Sequence, residues 1–516
     1  MTLARTVFAF TLLLAAVLRL WGVDYGLPHP LARPDEERIV GRALTMVATG
    51  NLHPVTFDYP SLPMYLGAAA LLAYEKAGEL SGRFQEVEDF LLSVAVREPG
   101  LDYHLLRLLS VLMGVLTVWA GAELAASAYP RPGMRLYAGL LLATSYVLVR
   151  DSRFATVDGP MVLFVTLSLL FAVKAAREKR TSFYVAAGLF AGLATSSKYN
   201  AGLLFVSLVA ATWTGSRSLK HLSYAALAMA GAFAATSPYA VFYPQAVLDG
   251  LRHHQEFLYA RPSDRALWTH LSVTFPEGLG WPLLLAAVSG LALAARRLEP
   301  ADVVLLSFVI PFFAIVASVR MTFPRYVVPL VPPLVALACE SGAVLLPRRR
   351  SIVAAALAIS VAPVLMSSVA FDRVAARKDT RVLASEWIAL NLERQTKISL
   401  CRGYGAPAVN TDRRRPPAFD AHFIDCDVEA VRREGARYVV VHEHPVLSSY
   451  SAVPLALQTW LRENGRPVAA FAPYAPNNHV FFYAADAFYL PFTGLRRVER
   501  GGPFVTIWDL GQPPPT

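Results

Sequence analysis

The sequence has 516 residues, of which 55% are hydrophobic and 17% charged, with a formal net charge of +10 and a mean hydropathy of +0.42. Soluble proteins carry about 25% charged residues, whereas here apolar runs of roughly twenty residues, the length a helix needs to cross a bilayer, recur from Phe8 to Ala370. An ordinary soluble enzyme is excluded, and a polytopic α-helical membrane protein is expected. The basic residues sit mainly in short loops between apolar runs rather than in an aromatic-interleaved stripe, which sets nucleic acid aside as a partner.

The chain opens with Met1-Thr-Leu-Ala-Arg5 and an apolar run to about Val23, with no small-x-small cleavage site after it. Trp21 and Tyr25 follow as an interfacial belt, so this is read as an uncleaved first helix with its N-terminus in the cytoplasm. Further apolar segments fall at about 62–78, 103–128, 135–150, 160–177, 182–197, 200–215, 222–241, 279–295, 301–319, 326–346 and 351–371.

Charge chooses the topology. If 62–78 only lies against or dips into the outer leaflet, the basic loops Tyr129–Arg135, Lys174–Arg180, Arg217/Lys220, Arg296/Arg297 and Pro347–Arg350 all face the cytoplasm, as the positive-inside rule asks. About eleven spanning helices result, in a membrane domain 1–372 with an outer loop 24–102 and a C-terminal domain 373–516 outside. The segment 182–215 must then be a tight helix pair, with Ser197-Lys-Tyr-Asn200 at its outer turn. The outer loops 24–102, 151–159, 197–200, 242–278 and 320–325 hold most of the unusual polar residues. Arg150, Arg153, Lys198, Arg320 and Arg325 lie there against the inside rule, and an anionic lipid phosphate would explain them.

Beyond Arg373 the pattern becomes that of a small α/β domain. Arg381–Leu392 and Pro454–Asn464 read as helices, Tyr438–His442 as a buried strand, with strands near Phe481–Tyr483 and Val505–Leu510 and a disordered tail Gln512–Thr516. Cys339 lies in an apolar run and packs there. Cys401 and Cys426 fall in the outer domain, where a disulfide is open to them.

Several residues could carry chemistry, each beside a plainer role. In Ala32-Arg-Pro-Asp-Glu-Glu-Arg38, Asp35 and Glu36 suit the first turn of an interfacial helix; alternatively one of them is a general base toward an acceptor hydroxyl. Asp158, before Gly-Pro, is a natural helix cap or a second active-site acid. Asp58, in Phe57-Asp-Tyr-Pro60, could join His253 or His254 around a divalent metal such as Zn, Mn or Mg. The histidines are otherwise surface residues, and Tyr326 an interfacial anchor. Lys198 either snorkels or clamps a lipid phosphate as it leaves, and Arg325, Arg153 and Tyr59 are grouped with it. A P-loop or Gly-rich phosphate loop is absent, so no nucleotide is expected.

The order of these features along the chain, Pro-Asp-Glu, Phe-Asp-Tyr-Pro, Arg-x-x-x-x-Asp, Ser-Lys-Tyr-Asn, a His-containing outer loop and Pro-Arg-Tyr, resembles the GT-C glycosyltransferases over about 1–345. The similar branches are the protein O-mannosyltransferases and the lipid A aminoarabinosyltransferases. The segment Asp486–Phe492 is similar to the periplasmic domain of bacterial members. The resemblance implies inverting transfer of a sugar from a polyprenyl-phosphate donor to a glycolipid, polysaccharide or protein at the extracytoplasmic face of a bacterial inner membrane. It implies that Asp35 orients or deprotonates the acceptor, that Asp158 is the second acid and that Lys198 contacts the lipid phosphate. Asp58, Tyr326 and His253 or His254 match metal ligands of the aminoarabinosyltransferases, although Asp58 stands for Glu and Tyr59 for Lys. The mannosyltransferases' His-Pro-Pro pattern is missing. The alternative, a transporter or flippase of lipid-linked saccharides, would place acids and cations deep within helices, whereas here they cluster in the expected outer loops.

Overall fold

The computed structural model describes residues 2–259, 266–347, 349–410, 417–444, 451–475 and 489–511. The strand expected near Phe481–Tyr483, residues 486–488 of the Asp486–Phe492 segment and the tail Gln512–Thr516 lie outside them. The chain divides into two compact units. One comprises Met1–Leu20, Arg42–Ala70 and Leu106–Val369; the other comprises Trp21–Gly41, Leu71–Leu105 and Ala370–Thr516.

The apolar runs are helices: α1 (Thr2–Leu20), α2 (Glu36–Thr49), α3 (Leu62–Leu80), α4 (Leu101–Ala128), α5 (Asp158–Glu178), α6 (Thr181–Ser197), α7 (Leu204–Thr214), α8 (Leu219–Thr236), α9 (Pro244–Tyr259), α10 (Trp281–Arg297), α11 (Pro300–Ser318), α12 (Val331–Leu345) and α13 (Arg350–Ala375). Among the described residues, five stretches are long and apolar enough to cross a bilayer: α4, α5, α11, Pro324–Leu345 and Arg350–Asn391. A sixth arises if Ala266–Leu279 and Trp281–Arg297, bent by 115°, count as one span. The segment expected at 135–150 is interrupted at Ser145, between the helices Met134–Thr144 and Tyr146–Asp151.

Inside the first unit, α5 and α6 form an antiparallel hairpin. Phe190 of α6 stacks on Phe171 and Phe164 of α5, with ring centroids at 5.5 Å and 6.3 Å. The chain then reverses again. Tyr184, in the first turn of α6, bonds the Ala211 carbonyl at the end of α7 and accepts from the Ser216 amide, so the pair expected over 182–215 is present. Gly188 and Gly192 let α6 pack closely along α8, because a methyl at either would run into the backbone carbonyl of Ala225 or Met229. At the other end of this unit, Arg297 bonds both Asp302 and Glu340, Arg131 bonds Glu340, and the Tyr129 hydroxyl donates to Asp302.

The second unit is built on a five-stranded sheet, β1 (Lys397–Cys401), β2 (Asp420–Ile424), β3 (Tyr438–Glu443), β4 (Arg466–Phe471) and β5 (Phe504–Asp509), in the order β2-β1-β3-β5-β4. β1 pairs in parallel with β2 and β3, while β5 is antiparallel to β3 and β4. The continuous apolar run of β3 is explained by burial on both faces. Tyr438 and Val440 join Ala384 and Ile388 of α14 (Thr380–Asn391) in one cluster. Val439 and Val441 pack instead with Val431 of α15 (Val428–Glu434) and Leu457 and Leu461 of α16 (Leu455–Asn464). Cys401 and Cys426 are bonded, joining the C-terminal end of β1 to the turn after β2, with Cα atoms 4.9 Å apart.

Candidate functional site

Asp158 is the first residue of α5, buried to 3% exposure; the cap position belongs to Val157, so the carboxylate is not spent on capping. Lys198 breaks the chain between α6 and the 3-10 turn Tyr199–Leu203 in an extended conformation. Because α5 and α6 are antiparallel, the start of one and the end of the other meet. Lys198 Nζ donates to Asp158 Oδ1 at 2.8 Å.

Arg325, on the 3-10 turn Pro324–Leu330 that follows α11, brings its Nε to 4.0 Å from Asp158 Oδ2. The ring of Tyr326 lies 5.0 Å from Lys198 Nζ, and that of Phe323 4.9 Å from the Arg325 guanidinium. Asp158 thus stands between two cations. Asp151, paired with Arg150 at 2.9 Å, lines a small cavity with Asp158, of about 10 Å³, roughly one water molecule. Arg153 is fully buried and donates to the Leu18 carbonyl at the end of α1.

Asp58 and Tyr59 are half-buried, and the Asp58 carboxylate is an electrostatic neighbour of the Tyr199 hydroxyl. The backbone at Phe57 and Asp58 packs against Gly250 of α9, where a methyl would meet it at 3.0 Å. His253 is exposed on α9, and the side chain of His254 lies outside the described residues. No group of three or more His, Cys, Asp or Glu comes together among the described residues.

The second unit holds the other acids. Asp35 has φ +78°, a left-handed conformation that costs a non-glycine residue energy and is over-represented at functional sites. It is half-buried, while Glu36, at the start of α2, has no exposed surface. Glu37 is the acid that the sequence reading passed over. Its Oε1 accepts from the Tyr404 hydroxyl at 3.1 Å, and its Oε2 is buried without a hydrogen bond. Burial lifts the Glu37 carboxyl above the usual carboxylate range; the Asp35 charge adds to this, against its own backbone amide and the Tyr404 hydroxyl.

Carbonyl groups around this acidic segment are bound by side chains far along the chain. Arg381, fully buried, donates to the carbonyls of Leu31, Ala32 and Tyr404 while its guanidinium is paired with Asp379. His29 Nε2 bonds the Ala406 carbonyl at 2.8 Å, and the Tyr103 hydroxyl donates to the Pro30 carbonyl at 2.7 Å.

With this geometry, comparison with known proteins is informative. The family model for dolichyl-phosphate-mannose-protein mannosyltransferases matches residues 100–242, the stretch that carries Asp158 and Lys198. The structure is similar to that of ArnT from Cupriavidus metallidurans bound to undecaprenyl phosphate, with 15% identity, 98% of each chain covered and a TM-score of 0.54. The chain has the GT-C fold. The Archaeoglobus fulgidus oligosaccharyltransferase in its apo form is 12% identical to this GT-C chain over 84% of it and 69% of its own length, with a TM-score of 0.49. The S. cerevisiae protein O-mannosyltransferase Pmt1-Pmt2 complex bound to the sugar donor is 22% identical over 49% and 34%, with a TM-score of 0.32. The fold assignment rests on the first of these three. No curated protein matches the sequence significantly.

Proposed function

We propose that this GT-C chain transfers a sugar from a polyprenyl-phosphate donor to a glycolipid, polysaccharide or protein acceptor, with inversion, at the extracytoplasmic face of a bacterial inner membrane. The observation that carries the reading is the pairing of Lys198 and Arg325 around Asp158. Asp158 holds the two cations in place, and they receive the donor's phosphate. As the acceptor oxygen attacks the anomeric carbon, the bond from that carbon to the phosphate oxygen breaks, and the acceptor's proton goes to a carboxylate, the role the resemblance implies for Asp35. The electron pair leaves on the phosphate, where Lys198 and Arg325 stabilise it.

The topology belongs to the same proposal: about eleven spans in 1–372, with 24–102 and 373–516 outside. The Cys401–Cys426 bond supports the placement of the second unit, since disulfides persist in oxidising compartments. No step is routed through a metal. Asp58 is the residue that tests the metal role implied by the resemblance: activity that survives both chelation and Asp58→Ala removes that role.

The decisive experiment is release of free polyprenyl phosphate by the purified protein in lipid nanodiscs, from pooled lipid-linked sugars with crude envelope acceptor. Asp35→Asn should lower the rate by about 10²–10⁴-fold, the usual worth of a general base. If folded wild type releases nothing from any donor, the transferase reading fails and transport of the lipid-linked saccharide takes its place.

A further inference from the structure

Tyr404 lies in the loop after β1, and almost every support of that loop is fixed. Its carbonyl is held by Arg381 at 2.9 Å, and the Ala406 carbonyl two residues on by His29. The Cys401 carbonyl accepts from His442 Nε2 at 3.0 Å, and Cys401 itself is bonded to Cys426. Gly405 admits no side chain, because a methyl there would strike His442 and Ser451. A loop restrained at so many points presents its one phenol in a set direction. That direction is toward Glu37, two residues from Asp35.

We propose that Tyr404 is a positioning residue for the transfer reaction: through Glu37 it sets the geometry and charge of the segment on which Asp35 acts. The inference rests on the transferase reading above. It gives the second unit a part in the reaction that no local motif in 373–516 announces. Glu37 is faced by Asp35 and Arg38 on its own segment and by Tyr404 across from it. The phenol, by bonding Oε1, fixes which oxygen of Glu37 is turned away and how far the Glu37 charge bears on Asp35.

Tyr404→Phe removes one oxygen and leaves the loop's other supports intact, and Glu37→Gln removes the charge while keeping the shape. Both are assayed as full-length protein in nanodiscs beside wild type and Asp35→Asn. Tyr404→Phe should lower kcat by about tenfold or more while KM for the donor changes less than about twofold, as for loss of positioning rather than of binding. Glu37 lacking its phenol holds a proton more tightly, and glutamine carries no charge. In both variants, therefore, the acid limb of the kcat profile should move to lower pH. An unmoved limb with unchanged kcat in Tyr404→Phe overturns the proposal, and so does a loss of thermal stability with no change in the limb. Glu37→Gln as inactive as Asp35→Asn also overturns it, because Glu37 would then be the base itself. Wild type inert with every donor sinks the transferase reading and this role with it; an active wild type with unaltered variants sinks only this role.

Discussion

Lys198 Nζ stands 2.8 Å from Asp158 Oδ1, the two side chains being 13% and 3% exposed. So little water reaches the pair that removing Asp158 leaves Lys198 buried without its anion, at a cost of about 3–5 kcal/mol, whereas removing Lys198 leaves Asp158 its second cation, Arg325, at 4.0 Å. Lys198→Ala should therefore lower the melting temperature by less than Asp158→Ala and weaken binding of polyprenyl phosphate. Lys198→Met combined with Asp158→Asn should recover stability without recovering binding. Thermal unfolding and lipid titration on the same samples separate the two effects, and recovery of binding in the double variant would remove the phosphate-clamp role.

Acid should unfold the second unit. Burial, with the Arg381 charge beside two of them, lowers His29, His442 and His444 from the ordinary 6.5 to about 4. All three are folded in the neutral form. Between pH 6.5 and 4 the unfolded chain binds protons that the folded chain refuses, so stability is full above 6.5 and falls as pH drops through this window. The slope is about 1.4 kcal/mol per pH unit for each histidine. Near-ultraviolet circular dichroism of the Trp460 and Trp508 environments should show a steep acid transition, and His29→Gln should move its midpoint to lower pH. A signal flat from pH 7 to 4 would contradict this account.

Reducing the Cys401–Cys426 bond should cost stability as well. The bond spans 25 residues, a loop for which chain entropy gives about 3.5 kcal/mol. The paired Cys401→Ala and Cys426→Ala variant should melt lower than wild type, and reductant should then have no further effect on it. Equal melting of variant and wild type would show that the bond adds nothing.

Reporter fusions placed after residues 198 and 380 should both signal from the extracytoplasmic side. A cytoplasmic signal from either breaks the proposed topology, because Lys198 and the second unit would then face the compartment that lacks the expected acceptors.

Local chemistry in the sequence led correctly to some of this arrangement. The hairpin joining Asp158 to Lys198 was legible because both helices are apolar and only Lys179 and Arg180 separate them. Tyr438–His442 was legible because a strand buried on both faces has no polar alternation to disguise it. β2 was not, since Asp420 and His422 interrupt its apolar residues and three of its five positions are exposed, as an edge strand permits. The 135–150 run hid its break at Ser145, which is an ordinary residue with a non-helical ψ. Glu37, Tyr404 and Arg381 were invisible for a different reason. Nothing near any of them in sequence marks its partner, and their contacts close only across the whole chain. His253 or His254 stood at the metal on the strength of the resemblance, and His253 is exposed on α9.

The bonds from Arg381 to Leu31 and from Tyr404 to Glu37 join residues 350 and 367 positions apart. A ribosome lays down the acidic segment first and its anchors last, so through most of synthesis the membrane helices, Lys198 among them, precede the parts that hold Asp35. Domains generally fold in the order they emerge, and this unit cannot finish until its final strand, β5, is made. Ordering of the acidic segment thus waits on residues 381–404. Under the proposed function, a chain stopped before residue 404 would insert without an ordered acidic segment and would not complete the transfer.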